Sequence, residues 1–492
     1  MLRNIVRTWY NQKVMNGNKV LTNLIWRFSE RFLAKGISLV VQIILARLLS
    51  PDVFGTVAIV MTITTVLQVF VESGFGTALI QKKDADDLDF SSVFYFNITV
   101  CALLYLLLFL LAPLISKAYH LPELTKVIRV LGTIILISGV KNVQQAFVSR
   151  NMMFKRFFFA TLGGTVGAAV IGIWMALKGW GVWAYVTQYL FNNLVDTIIL
   201  WITVRWRPKA VFSFSRLKTL FSYGWKLFAS SLINVIFERL RTFVIPLRYS
   251  TGDLAFYDKG NTFPNFLVEN VNSSIDSVLL PALSREQDSA ENVRNMTRRA
   301  IKVSSYIMWP LMVGLAACAR PLISIIYTDK WLPAVPFIRI FCLYYVFWPI
   351  HTANLNAIKA VGRSDIFLKL EIAKKVLDLA VLAATLFLGV RAMAIGILLE
   401  GIVNLAINAW PNSKLIGYRF SDQIRDIAPP AILAVAMGIA VYSVQFLPLP
   451  DIPVLIIQVL LGAGIYLAGS VIFKYESFSY ILDTVKKIRR KI

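Results

Sequence analysis

Apolar runs long enough to cross a bilayer follow one another along almost the whole chain, and the breaks between them are short. A helix needs roughly 20 apolar residues to span the hydrocarbon core. The pattern therefore predicts about fourteen spans, at 24–48, 54–80, 91–115, 125–148, 157–177, 181–204, 219–247, 254–282, 300–326, 335–358, 366–389, 392–416, 427–447 and 453–473. The stretches beginning at 219 and 254 are the least apolar, which leaves a count of about twelve open. The class is an all-α polytopic membrane protein.

Polar side chains inside these runs fall at helical spacing. At about 100° per residue, Arg27, Arg31, Lys35, Ser38 and Gln42 share one face of the first span. The seventh span repeats this loosely with Lys226, Ser230, Asn234 and Arg241. A cationic stripe facing lipid would cost several kcal/mol, so it should face protein or water, although Arg27 and Lys226 lie near helix ends and can snorkel to the interface. The eighth span gathers Asp258, Asn261, Asn265, Glu269, Asn272 and Asp276 on one face, and Pro264 within it predicts a bend. That face can pair with the basic stripe, bind a coupling cation or hydrogen-bond sugar hydroxyls. Thr65, Gln68 and Glu72 share a face of the second span, and Gln188, Asn192 and Asp196 one of the sixth. In the eleventh span Glu371, Lys374, Lys375 and Asp378 read as helix-stabilising pairs. Asp196 and Glu400 have no nearby cation on their own helices, which suits an ion-binding or protonatable role as well as an interhelical hydrogen bond.

Composition changes the picture in one respect. The chain has 51 Lys and Arg against 27 Asp and Glu and is 57% hydrophobic, with mean hydropathy +0.65. A net charge of +24 in a soluble protein would suggest nucleic acid, but here the cations are scattered through short loops and form no single patch. Most lie in the N-terminus, in every second loop after it and in the C-terminal tail, while the opposite loops hold only Lys117, Lys178, Arg248, Lys330 and Arg391. That bias places both termini in the cytoplasm. Residues 1–20, with Ile5, Trp9 and Tyr10 on one side and Arg3, Arg7 and Lys13 on the other, read as an interfacial helix and not as a cleavable signal, and the tail from Lys474 looks similar. Cys101, Cys318 and Cys342 lie in or beside apolar spans, and His120 and His351 stand far apart, so neither a disulfide framework nor a metal site is expected.

The chain also matches itself weakly at an offset of about 200 residues. Ser50-Pro51-Asp52-Val53-Phe54-Gly55 answers Ser250-Thr251-Gly252-Asp253-Leu254-Ala255-Phe256, and Gly179-Trp180-Gly181-Val182-Trp183-Ala184 answers Gly389-Val390-Arg391-Ala392-Met393-Ala394. Gln188, Asn192 and Asp196 answer Glu400, Asn404 and Asn408. Two pseudo-symmetric six-helix lobes around a central cavity, at 24–204 and 219–418, account for this. They are flanked by an interfacial segment 1–23, a basic linker 205–218, two further helices within 419–474 and a basic tail 475–492.

The opening Ser50-Pro51-Asp52-Val53-Phe54-Gly55, then Glu72-Ser73-Gly74-Phe75-Gly76 and Ile80-Gln81-Lys82-Lys83, resemble bacterial polysaccharide exporters of the multidrug/oligosaccharidyl-lipid/polysaccharide superfamily. Gly252-Asp253-Leu254-Ala255-Phe256-Tyr257 with Pro264, Pro281-Ala282-Leu283-Ser284, and Lys330-Trp331 with Pro336 are similar to the second half of that family. The resemblance implies a flippase for undecaprenyl-diphosphate-linked oligosaccharide, serving O-antigen, capsule or exopolysaccharide, coupled to Na⁺ or H⁺ and needing no other cofactor. Its partners would be the lipid-linked oligosaccharide, membrane lipids and other polysaccharide-assembly proteins, with no nucleic acid. On that reading Arg31, Lys35, Arg241 and Lys226 face the diphosphate, while Gln42, Asn234, Asn261, Asn265, Asn272, Gln188 and Asn192 contact sugars. Asp196, Glu269, Glu400, Asp258 and Asp276 are the ion-coupling candidates. No phosphate-cradling G-x-x-x-x-G-K-[ST] loop is present. A cation antiporter of the same superfamily would share the fold but need an acidic cavity, and a polysaccharide polymerase or ligase would need a large outer loop that the pattern lacks.

Overall fold

The computed structural model describes residues 26, 33–72, 75–82, 84–151 and 153–489. Every regular element among them is helical. Helix α1 covers 33–48. It is followed by α2 (Pro51–Glu72), α3 (Phe75–Gln81), α4 (Asp87–Ala118), α5 (Leu124–Gly132), α6 (Ile134–Arg150), α7 (Phe154–Leu177), α8 (Val182–Thr203) and α9 (Phe214–Arg248). Then come α10 (Thr251–Arg285), α11 (Ala290–Tyr327), α12 (Val335–Tyr345), α13 (Trp348–Ala360) and α14 (Ser364–Thr385). The chain finishes with α15 (Val390–Leu415), α16 (Phe420–Ser443), α17 (Asp451–Ile472) and α18 (Glu476–Arg489). The expected interfacial helix at 1–20, together with Arg27 and Arg31, lies outside the described residues.

Eight of the described helical stretches are long and apolar enough to cross a membrane, and a ninth is if α9, bent by 51° between Ser222 and Gly224, is one span. The expectation of about fourteen spans exceeds this because α8, α10 and α14 form where predicted but carry the polar residues that lower their hydropathy. The described part of α1 and all of α6 are short, and a break at Thr133 separates α6 from α5. Helix α10 runs unbroken through Pro264.

The chain separates into two compact units, Met1–Gly252 and Asp253–Ile492, so α9 counts with the first. In that unit Phe75, Leu79, Phe90, Phe94, Val143, Phe157 and Trp206 form an apolar core. The segment 205–218 is strapped across it. The Trp206 ring stacks on Phe147 at 6.1 Å, Gln144 donates to the Trp206 carbonyl at 3.1 Å and Lys209 pairs with Asp87 at 2.6 Å. Asp86 starts α4 with a capping box, accepting from the Asp89 amide at 3.0 Å while the Asp89 carboxylate accepts from the Asp86 amide at 3.2 Å. Asp89 is fully buried and takes Lys82 at 2.6 Å, so the charge is compensated where water cannot reach it.

In the second unit the 38-residue α11 packs against α12, α13, α16 and α17. At 1.5 Å per residue it is about 57 Å long, well beyond a hydrocarbon core of about 30 Å, so one end projects past the apolar layer. Its polar N-terminal turns mark that end. Three amides with exposures of 0, 0 and 1%, Asn354, Asn412 and Gln423, tie α13, α15 and α16 together. Asn412 and Gln423 both donate to the Asn354 side-chain oxygen, at 2.7 and 3.0 Å, and Asn354 donates back to Gln423 at 2.8 Å. Paired amides of this kind replace water where none is present.

Candidate functional site

Helices α2, α3, α6 and α8 of the first unit enclose a recess of about 430 Å³, within the range of small-molecule sites. Its wall is polar: Gln68 and Glu72 project from α2, Lys141 and Asn142 from α6, and Tyr189 and Asn193 from α8. Helical spacing explains the assembly, since residues three and four apart stand above one another on a face. Asn142 donates to the Val71 carbonyl at 2.7 Å and so pins α6 to the end of α2. Gln68 and Tyr189 are hydrogen-bonded to each other.

Among the described residues that line the recess, Lys141 is the one cation. The Lys141 ammonium lies 3.1 Å from Asp196 Oδ2 and 3.2 Å from Asn193 Oδ1. Both charged side chains are nearly buried, at 12 and 13% exposure. Asp196 Oδ1 is buried with no hydrogen-bond partner among the described residues. Glu72 opens onto the same recess and makes no hydrogen bond or ion pair among them. Lys141 on the wall is thus neutralised by Asp196, with Glu72 a second carboxylate on the same wall, and an anionic phosphate entering the recess would compete with Asp196 for Lys141. Asp196 sits seven residues before the Thr203 end of α8, or roughly 10 Å along the axis.

The sequence stripe Gln188, Asn192 and Asp196 divides in space. The Gln188 and Asn192 side chains pack against α7, where a Cβ added to Gly172 would lie 2.8 Å from Gln188 Cβ and one added to Gly164 would lie 2.7 Å from the Asn192 carbonyl and side-chain oxygens. Only glycine permits that close approach, and of the three it is Asp196 that reaches Lys141, the cation on the recess wall. The missed residues are Lys141, Asn142, Asn193 and Tyr189. A signal for two of them was present, because Ser138, Lys141, Asn142, Gln145 and Ser149 form a polar stripe at the same spacing on the fourth span.

Among the cationic candidates, Lys35 and Lys226 are exposed side chains of α1 and α9, and Arg241 is buried at 9%. Gln42 is half-buried on α1 and Asn234 exposed on α9. In the second unit Asp258 is half-buried and Asn261 and Asn272 each have a buried side-chain oxygen without a hydrogen bond among the described residues. Asn265 donates to Glu269 at 2.8 Å, an i, i+4 pair along α10. Asp276 accepts from Asn356 at 2.8 Å, and Glu400 accepts from Asn404 at 3.1 Å. These contacts make α10 and α15 into helices whose polar groups are partly satisfied within their own unit. Among the described residues no group of three His, Cys, Asp or Glu is placed to hold a metal ion.

Comparison with known proteins agrees with the polytopic helical architecture. The succinoglycan biosynthesis transport protein ExoT of Rhizobium meliloti (strain 1021) is 24% identical over 480 residues, covering 97% of this chain and 96% of that one. The lipopolysaccharide biosynthesis protein WzxC of Escherichia coli (strain K12) is 22% identical over 434 residues, covering 86% and 87%. The solved structure of the lipid II flippase MurJ in an inward closed conformation superposes with TM-score 0.76 over 91% of this chain and 98% of that one, at 16% identity, a likeness of fold. The first of these relatives is named as a transport protein, in line with the sequence reading of a transporter and not an enzyme. Residues 44–336, more than half of the chain, match the family described as polysaccharide biosynthesis protein, and the chain belongs to that family.

Proposed function

We propose that the chain is a flippase that carries undecaprenyl-diphosphate-linked oligosaccharide, an O-antigen, capsule or exopolysaccharide unit, across the bacterial inner membrane by alternating access. A hydrated diphosphate sugar faces a prohibitive desolvation cost in hydrocarbon, and a polar passage removes most of it while the polyprenyl tail stays in lipid. The observation that carries the reading is the polar recess of the first unit, where one nearly buried Lys141 is held by a carboxylate and an amide. An ammonium is a point charge suited to a phosphate oxygen.

Coupling follows from the same geometry. When a diphosphate takes Lys141, Asp196 loses its counter-charge and gains affinity for a proton or Na⁺; when the ion leaves, Asp196 recaptures Lys141 and the substrate is released. Fourteen spans in two lobes, both termini in the cytoplasm, the exposed cations Lys35 and Lys226 near the substrate path, and cooperation with other polysaccharide-assembly proteins complete the proposal. Glu72 is the one feature favouring the alternative, a cation antiporter, since it leaves the recess with an extra carboxylate.

The test is a strain lacking this protein. Completed lipid-linked units that accumulate and resist an added outer-face glycosidase support the flippase. Unchanged lipid-linked pools with raised drug sensitivity support the antiporter.

A further inference from the structure

The second unit holds a second polar site, where the projecting N-terminal end of α11 meets the start of α16 and the helix α18. A cavity of about 530 Å³ between α11 and α18 is lined by the cations Arg298, Arg299 and Lys302, the carboxylates Glu476 and Asp483, and Tyr480. An adjoining one of about 310 Å³ is lined by Arg294, Arg298, Asp422 and Arg425, so Arg298 belongs to both. Two of these cations are already committed. Asp426 takes Arg298 through two bonds of 2.7 and 2.8 Å, and Glu476 takes Lys302 at 2.8 Å. The Arg299 guanidinium lies 5.4 Å over the Tyr480 ring. Arg294 and Arg425 have no hydrogen bond or ion pair among the described residues, and only Asp422 shares their cavity as a counter-charge. Packed helices that hold two uncommitted guanidiniums beside a third fixed one present an anion site.

The surroundings say which anion. The site lies where the polar turns of α11 and α16 give way to apolar sequence, and Tyr475 donates to the Pro429 carbonyl there at 2.9 Å. Phe473 and Tyr480 are exposed at 65 and 45%, aromatic side chains of the kind that mark the depth of lipid headgroups. Immediately beyond, α16 and α17 expose Ile432 at 69%, Val471 at 60% and Ile472 at 71%, an apolar surface for acyl chains.

We propose that the adjoining cavities bounded by α11, α16 and α18 bind the phosphate of an anionic phospholipid, with Arg294 and Arg425 as its main ligands. The lipid would fasten the C-terminal helix to the membrane face. Helix α18 already contributes Phe478 and Ile481 to the apolar cluster of α11, α16 and α17.

Native mass spectrometry of the full chain in detergent, titrated with dioleoylphosphatidylglycerol and dioleoylphosphatidylcholine, tests this. Phosphatidylglycerol should bind preferentially, and Arg294→Gln/Arg425→Gln should weaken it roughly twentyfold without altering phosphatidylcholine. Asp422→Asn, which removes the local counter-charge, should strengthen phosphatidylglycerol binding several-fold. Arg205→Gln/Arg285→Gln, equal in charge change but elsewhere, should leave it unaltered. Equal binding of the two lipids, an equal loss in the control variant, or displacement of phosphatidylglycerol by the same concentration of inorganic phosphate overturns the proposal. Should the double variant not fold, Asp422→Asn decides alone, and unchanged or weaker binding overturns it.

Discussion

Replacing Lys141 by Met separates what the recess contributes to folding from what it contributes to transport. At 3.1 Å and an effective dielectric of about 20, the Lys141–Asp196 attraction is about 5 kcal/mol before desolvation is subtracted. Removing one partner of so nearly buried a pair leaves the other charge uncompensated, and about 3 kcal/mol of net destabilisation is expected. Asp196 is poorly placed to absorb the loss, since Lys141 bonds its Oδ2 and its Oδ1 has no hydrogen bond among the described residues. Lys141→Met and Asp196→Leu should therefore each lower the thermal stability of the purified protein. The double variant should recover most of it, because two apolar groups of similar volume leave no orphaned charge. Transport should not recover. Export of polysaccharide should stay lost in the double variant although the protein is folded and inserted, because the ammonium that receives the phosphate is gone. Thermal unfolding in detergent read alongside export in a complemented deletion strain provides the two axes. Normal export by the double variant would refute the role assigned to Lys141, and singles as stable as the native protein would refute the buried pair.

Other outcomes follow from the packing. Gly164→Val should separate α7 from α8 and abolish stable insertion, seen as loss of full-length protein from membranes, because its Cβ would lie 2.7 Å from the Asn192 carbonyl. Asn354→Leu removes the hub of the amide network in the second unit and leaves Asn412 and Gln423 short of partners, a cost of about 1–3 kcal/mol for each group orphaned, readable as a lowered unfolding temperature. The hydrogen bond from Lys302 holds the Glu476 carboxyl below its ordinary value of 4.5. A depressed folded-state pKa means that this contact stabilises above 4.5 and is lost as pH falls below that value. Hydrogen exchange of α18 should be flat from neutral pH down to about 5, after correction for the intrinsic rate, and accelerate only below the ordinary carboxylate range. The Glu476→Gln variant should lack that acid step.

The helical class was legible because apolar runs and their breaks are one-dimensional, and α4, α7, α11, α16 and α17 form where their runs lie. The count of spans was less so, because α8, α10 and α14 combine membrane length with polar faces, and hydropathy cannot separate a polar face that meets protein from one that meets water. The recess shows the harder limit. Asp196 has no cation on α8, and its partner Lys141 comes from α6, 55 residues earlier. Periodicity reports which residues share a face of one helix and carries nothing about which faces meet. The basic stretch 205–218 likewise reads as a free linker by composition, yet Trp206 and Lys209 fasten it to α4 and α6. The charge pattern was visible there, and the anchoring bonds were not.

Translocation of an anionic lipid-linked glycan can be followed with purified protein in liposomes. A fluorescent undecaprenyl-diphosphate-linked oligosaccharide is placed in both leaflets, and its accessibility to an external glycosidase is followed with time. Given a Na⁺ or H⁺ gradient, the native protein should convert the protected inner pool to an accessible one, while Lys141→Met/Asp196→Leu should leave that pool protected as in empty liposomes. A protected pool that stays equally large with native protein, with either gradient, would contradict translocation.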